Sequence, residues 1–131
     1  MGQPAAKQND QIVGVDTHIV LIPAAAGATV PTPLPHPFTG MIDGDLSSDV
    51  NIMGQPAATV GSTATNTPSH IPQGGPFQSP PSNSATIEIG SQTVKINGKG
   101  AARMGDTATT CNDPADLPVG TVIAAGTVMI G

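Results

Sequence analysis

The 131-residue chain contains no tryptophan and no tyrosine, and its only aromatic rings besides three histidines are Phe38 and Phe77. Without large rings, a domain of this length cannot build the aromatic-filled core of an ordinary globular protein. A single cysteine, Cys111, excludes an internal disulfide. Only Lys7, Lys95, Lys99 and Arg103 are positive, and the net charge is −5. No basic stripe exists for a phosphate backbone, so nucleic acid is not expected as a partner. Apolar runs are short and broken by proline, as in residues 18–31, so none reads as a membrane span, and the N-terminus lacks the basic and apolar regions of a secretion signal. The expectation is a chain made in the cytoplasm without a signal peptide.

What the chain has in quantity is 16 glycines and 14 prolines, which interrupt nearly every window long enough for a helix. Charged residues make up only 10%, and Val/Ile-rich stretches recur in order, which argues against a solvated coil. Small side chains between closely spaced backbones fit this composition better. A core so poor in apolar volume needs a staple, which with one cysteine means a metal or a partner.

The string MGQPAA occurs twice, at residues 1–6 and 53–58, and each copy is followed by eleven residues and then by His-Ile: His18-Ile19 and His70-Ile71. A third, looser copy is found when residues 50–65 (VNIMGQPAATVGSTAT) are laid without a gap on residues 94–109 (VKINGKGAARMGDTAT). Here Cys111 stands eight residues past the alanine pair. The chain therefore reads as three related units, about 1–40, 49–84 and 85–131, each presenting one nitrogen or sulfur ligand.

Alternation predicts an all-β fold. A hairpin is expected over residues 85–97, with a Gly90-Ser91 turn setting Ile87 opposite Val94 and Ala85 opposite Ile96. A second is expected over residues 120–131, turning at Ala125-Gly126. Strands are expected at residues 11–22 and 49–53, and proline-stiffened loops at 31–40 and 67–84, whose Phe38 and Phe77 cap the small core. The acidic run 41–49, with Asp43, Asp45 and Asp49, lacks the glutamate and spacing of a calcium loop and reads as a solvated loop. The GxPAA strings read as tight turns chosen for backbone shape.

Three histidines and one cysteine are the whole supply of borderline-soft ligands. His18, His70 and Cys111 mark related positions of the three units, and His36 lies between Pro35 and Pro37. Three nitrogens and a thiolate would complete a closed, structural tetrahedral zinc site, and the same set suits iron. The competing reading is that these four residues are unrelated, since no short ligand pair such as CxxC joins them.

The segment INGKGAARMGDTATTC, residues 96–111, resembles the signature of the PAAR-repeat (Pro-Ala-Ala-Arg) proteins. The third unit keeps Ala101-Ala102-Arg103 with Gly100 for the proline, the second keeps Pro56-Ala57-Ala58 with Thr59 for the arginine, and the first keeps Pro4-Ala5-Ala6 with Lys7. Gly105-Asp106, the strand at residues 94–98 and the closing residues 126–131 also agree, so the resemblance spans nearly the whole chain. It implies a small cone of β-hairpins with pseudo-threefold repeats, carrying structural zinc on His18, His36, His70 and Cys111. It further implies a cap, one per trimer, on the trimeric valine-glycine-repeat spike of a contractile injection system, either type VI secretion or an extracellular phage-tail-like particle. Such a cap is made in the bacterial cytoplasm, assembled into the particle and ejected, touching the target membrane in passing. With no effector extension expected, any cargo would be held non-covalently. Two other readings compete: a small zinc hydrolase, for which Glu88 is the only glutamate, and a carbohydrate-binding or adhesive β-module, for which exposed aromatics are missing.

Overall fold

The computed structural model describes residues 2–131 and is nearly all β. Its strands are β1 (Gln3–Pro4), β2 (Gln11–Pro23), β3 (Thr29–Gly44), β4 (Asn51–Ile52), β5 (Gln55–Pro56), β6 (Thr63–Asn66), β7 (Ser84–Ile87), β8 (Lys95–Ile96), β9 (Lys99–Gly100), β10 (Thr107–Thr110), β11 (Leu117–Ile123) and β12 (Met129–Ile130). Six of them close an antiparallel barrel in the order β10-β11-β2-β3-β6-β7, and the other six form two-stranded pairs, β12 with β1, β4 with β5 and β8 with β9. Among the described residues no helix is long and apolar enough to cross a membrane.

The three pairs are the three sequence repeats. Ile52 faces Gln55 across Met53-Gly54, and Ile96 faces Lys99 across Asn97-Gly98. Both turn residues have positive φ in each case (51° and 82°, 53° and 80°), the geometry of the two-residue turn that matches strand twist. The third pair, Gln3 with Ile130, is assembled from the two ends of the chain. After each pair the alanines enter a cyclic arrangement: the Ala6 amide donates to Ala102 O, that of Ala102 to Ala58 O, and that of Ala58 to Ala6 O, at 2.9 to 3.0 Å. The next turn repeats as well. Asp10, Ser62 and Asp106 each accept, through a side-chain oxygen, the amide of the residue three earlier, Lys7, Thr59 and Arg103. Asn9, Gly61 and Gly105 take positive φ in these turns.

Small side chains make this convergence possible. Ala6, Ala58 and Ala102 are fully buried, with Ile12, Ala64, Ala108, Ile42, Ile87 and Val122 above them in the barrel. On the other side, Ala5, Ala57, Ala101, Ile52, Ile96 and Ile130 form a second apolar cluster. Backbone hydrogen bonds and tight packing of methyl groups thus replace the missing aromatic core.

Four sequence expectations are corrected. Residues 85–97 do not form one hairpin: β7 pairs with β6 and β10, β8 turns at Asn97-Gly98 to pair with β9, and Ile89 and Val94 remain exposed. Asn-Gly accepts two consecutive positive φ values more readily than Gly-Ser, so it takes the turn. Residues 120–131 also part company, β11 lying between β10 and β2 while β12 joins β1. The proline-rich segment 31–40 is strand, not loop. It belongs to β3, which pairs with β2 over thirteen positions. Pro31, Pro33, Pro35 and Pro37 occupy alternate positions, and the second neighbour of β3, β6, pairs only from Gly40 onward. The prolines thus line an unpaired edge where an absent N–H forfeits no ladder bond. The run 67–83 is irregular, as expected; Asp43, Asp45 and Asp49 are exposed, but residues 41–44 belong to β3, where they pair with β6, and not to a loop.

Candidate metal centre

Alternation along β2 turns Ile12, Asp16, His18 and Val20 inward, and along β3 it turns His36 and Phe38 inward. Asp16 stands directly opposite His36 in the β2–β3 ladder. His70 lies four residues beyond the end of β6, and Cys111 directly follows β10. Four elements therefore deliver side chains to the barrel end remote from the alanine ring.

The rings of the three histidines neighbour one another there, and Cys111 lies beside His18. The His18 ring centroid lies 5.6 Å from that of His36 and 4.9 Å from that of His70, and His36 and His70 are 5.5 Å apart. Cys111 Sγ is 3.6 Å from His18 Nε2. Ligands on zinc–nitrogen and zinc–sulfur bonds at a tetrahedral angle stand about 3.6 Å apart, so this edge is already of ligand–ligand length. The group whose ligand atoms all fall within 4.8 Å of one another, and which could hold a metal ion, is Asp16, His18, His70 and Cys111; it adds Asp16 and does not include His36. Sequence reasoning missed Asp16. Its signal was a carboxylate two residues before His18 on an otherwise apolar strand face.

Burial sharpens the chemistry. Asp16 and His18 are wholly buried, and His36 and Cys111 are at most 4% exposed. The Asp16 carboxylate accepts from Thr110 Oγ1, Cys111 Sγ and His70 Nε2, as a buried charge must. Among the described residues His36 Nε2 is buried without a hydrogen-bond partner, and His18 Nδ1 has only Asp113 Oδ2, at 3.5 Å. His36 Nδ1 donates to Leu34 O at 2.9 Å, and its Nε2 is left buried without a partner. A ring pinned through Nδ1 to a carbonyl with Nε2 unsatisfied is the usual posture of a metal-ligating histidine. The residues present thus fit a metal ion. The Phe77 ring lies 5.8 Å from that of His18 and 5.3 Å from that of His36, and the Phe38 ring lies 6.2 Å from that of His70, so both phenylalanines adjoin the histidines. A groove of about 480 Å³, lined in part by Pro35, His36, Asn66, Pro68 and His70, opens beside it.

Cys111, His18 and Asp113 also fall in the order of a nucleophile, a base and an orienting acid, with His18 Nδ1 3.5 Å from Asp113 Oδ2. The electrostatics oppose that use. Burial, reinforced by the Asp16 carboxylate, pushes the Cys111 thiol up to about 11, which without a metal favours the thiol over the nucleophilic thiolate at neutral pH. Burial also lowers the His18 pKa, partly offset by Asp113, which favours a neutral imidazole suited to a metal. Glu88, the only glutamate, is exposed and pairs its amide with Thr107 O, away from the cluster. No protein-family model matches the chain, and no curated protein matches it.

Proposed function

We propose that this protein is a spike-tip cap of the PAAR-repeat type, a structural part without enzymatic activity, which closes the blunt end of a trimeric β-helical spike in a contractile injection system and helps it pierce a membrane. The observation that carries this reading is the threefold base. One chain presents three equivalent two-stranded pairs around a ring of three alanines, so a monomer matches the end of a C3 partner. Each pair leaves an outer strand edge free, and the partner's strands would cover those edges. Exposed Met53, Val94, Val128 and Met129 lie on or beside the same pairs and give the contact an apolar component.

At the other end, a metal within the cluster of His18, His36, His70, Cys111 and Asp16 would cross-link four elements that no large hydrophobic core holds together. Zinc is our first candidate, since a thiolate with imidazoles is its usual structural donor set. Bound there, it would supply rigidity and no reaction.

The test is assembly. Mixed with the trimeric spike of its own injection cluster, the purified protein should give a complex of one cap per trimer by native mass spectrometry. Folded partners that stay apart, or that combine three to three, would rule the reading out.

A further inference from the structure

We infer that Pro31, Pro33, Pro35 and Pro37 shut the β2–β3 hairpin against strand addition, so that the base is the end left open to strands of another chain. The hairpin is where such pairing would otherwise start. It runs past the barrel, since β6 joins β3 only from Gly40 onward. Its strands carry exposed Val15 and Val30, and β2 is rich in β-branched residues. A long, exposed apolar edge of this kind is a ready template for a second chain.

Hydrogen bonds fix which positions point outward. The amides of Thr17, Ile19 and Leu21 donate away from β3, to Asn112 Oδ1 at 2.7 Å, Asp113 Oδ2 at 2.9 Å and Pro76 O at 2.8 Å. Bonded and non-bonded pairs alternate in an antiparallel ladder, so the residues opposite these three turn their own backbone groups to the far side of β3. Those residues are Pro35, Pro33 and Pro31, and Pro37, opposite Val15, is the next in the series. Thr39, the following outward position, gives its amide to Asn66 Oδ1 at 2.9 Å. From position 31 to position 39 the edge therefore presents carbonyls and no spare N–H. The β2 edge is closed by other means. Its outward amides are taken as above, the Thr17 and Ile19 carbonyls accept the amides of Asp113 and Gln78 at 2.8 Å, and Pro23 follows.

The base is built the other way. The amides of Ala5, Ala57 and Ala101 donate to the carbonyls of Val128, Val50 and Val94. By the same alternation Met129, Asn51 and Lys95 point away from their pairs, and all three are exposed. Opposite them, the carbonyls of Pro4, Pro56 and Gly100 accept the amides of Met104, Gln8 and Val60. Each base pair thus keeps one usable edge, on β12, β4 and β8. The closure of the hairpin stands on the ladder alone, whereas the use of the base edges by spike strands rests on the reading above.

The test supplies the missing N–H groups. Pro31→Thr combined with Pro33→Thr breaks no internal hydrogen bond and leaves both side chains in solvent, so this variant should fold. Positions 31 and 33 of one copy can then exchange N–H···O=C bonds with positions 33 and 31 of another. In sedimentation velocity the wild type should keep the mass of one chain throughout a concentration series. The double variant should move toward twice that mass, with new amide protection in residues 29–37. Pro33→Ala, a smaller change that supplies one amide, should associate more weakly and takes over as the test if the double variant does not fold. Adding Val15→Thr and Val30→Thr separates backbone pairing from apolar contact, and association should persist. Folded variants that stay monomeric, association that disappears with the two valines, or wild-type dimers protected along residues 29–39 would each overturn the inference. Spike binding is read in a different experiment, so its failure would leave this result standing.

Discussion

At the base, Ala6, Ala58 and Ala102 are equivalent, fully buried and joined by one closed cycle of amides. At the apex, Asp16 and His18 are just as buried, yet they, His36, His70 and Cys111 reach their places from a long strand, its hairpin partner, a loop and a strand end. The first region is the repeat obeyed, and the second is the repeat broken. Where three units must agree around an axis, each accepts only small side chains and fixed turns. Above the ring, the β2–β3 hairpin outgrows its counterparts, and the freed positions take polar groups that no symmetric core could satisfy. Stability that depends on geometry thus sits at one end, and chemistry at the other.

Breaking the base should have the largest effect. Ala58→Leu places a branched side chain on the axis, where two other alanines already meet, and should destabilise the fold by about 3 kcal/mol or more. Loss of soluble protein, or a collapse of amide protection throughout the chain, is the expected result, and near-wild-type melting would show that the ring is not tightly packed. The apex should fail differently. Cys111→Ala should abolish metal retention and lower the melting temperature of the metal-loaded protein, while the amides of Ala6, Ala58 and Ala102 keep their protection in hydrogen exchange. Equal loss of protection at both ends would erase the distinction between them.

The sequence makes the base more legible than the apex, for a physical reason. Backbone turns depend on local residue type, so the register of residues 50–65 on 94–109 reports real structural equivalence, and the echo of those strands at residues 126–131 reports β12 closing the first unit. The shared offset of His18 and His70 likewise reports a shared destination. The proline run at 31–40 misleads because proline excludes only half of the ladder positions, and β3 uses the other half. Asp16 escapes notice because its role is set by Thr110, Cys111 and His70, which lie far away in the chain. The Gly90-Ser91 turn misleads because β7 finds its partners across the barrel and not next in sequence.

A smaller effect is expected from the turns that frame the base. Gly98 has a φ of 80° with open space where a Cβ would be, so Gly98→Ala meets no clash and only backbone strain. It should lose about 1 to 2 kcal/mol in denaturant titration. Gly54→Ala, at φ 82°, should lose the same amount, since the two turns are equivalent. Unequal losses would mean that the threefold base is symmetric in shape and not in energy.

The last effect vanishes at neutral pH and tests the apex alone. In metal-free protein the Cys111 thiol is raised from 9.0 to about 11, chiefly by burial and then by the Asp16 carboxylate. Between those values the unfolded chain releases the thiol proton and the native state does not. The unfolded state is therefore favoured progressively as pH rises, and the contribution to stability present below pH 9 is lost by about pH 11. Other groups titrate in this range, so the quantity to measure is the difference in alkaline unfolding between wild type and Cys111→Ala, both stripped of metal. The wild type should lose more stability over this window. Parallel curves would mean that the thiol already ionises in the folded apex, reopening the nucleophile–base–acid arrangement of Cys111, His18 and Asp113 that its burial otherwise closes.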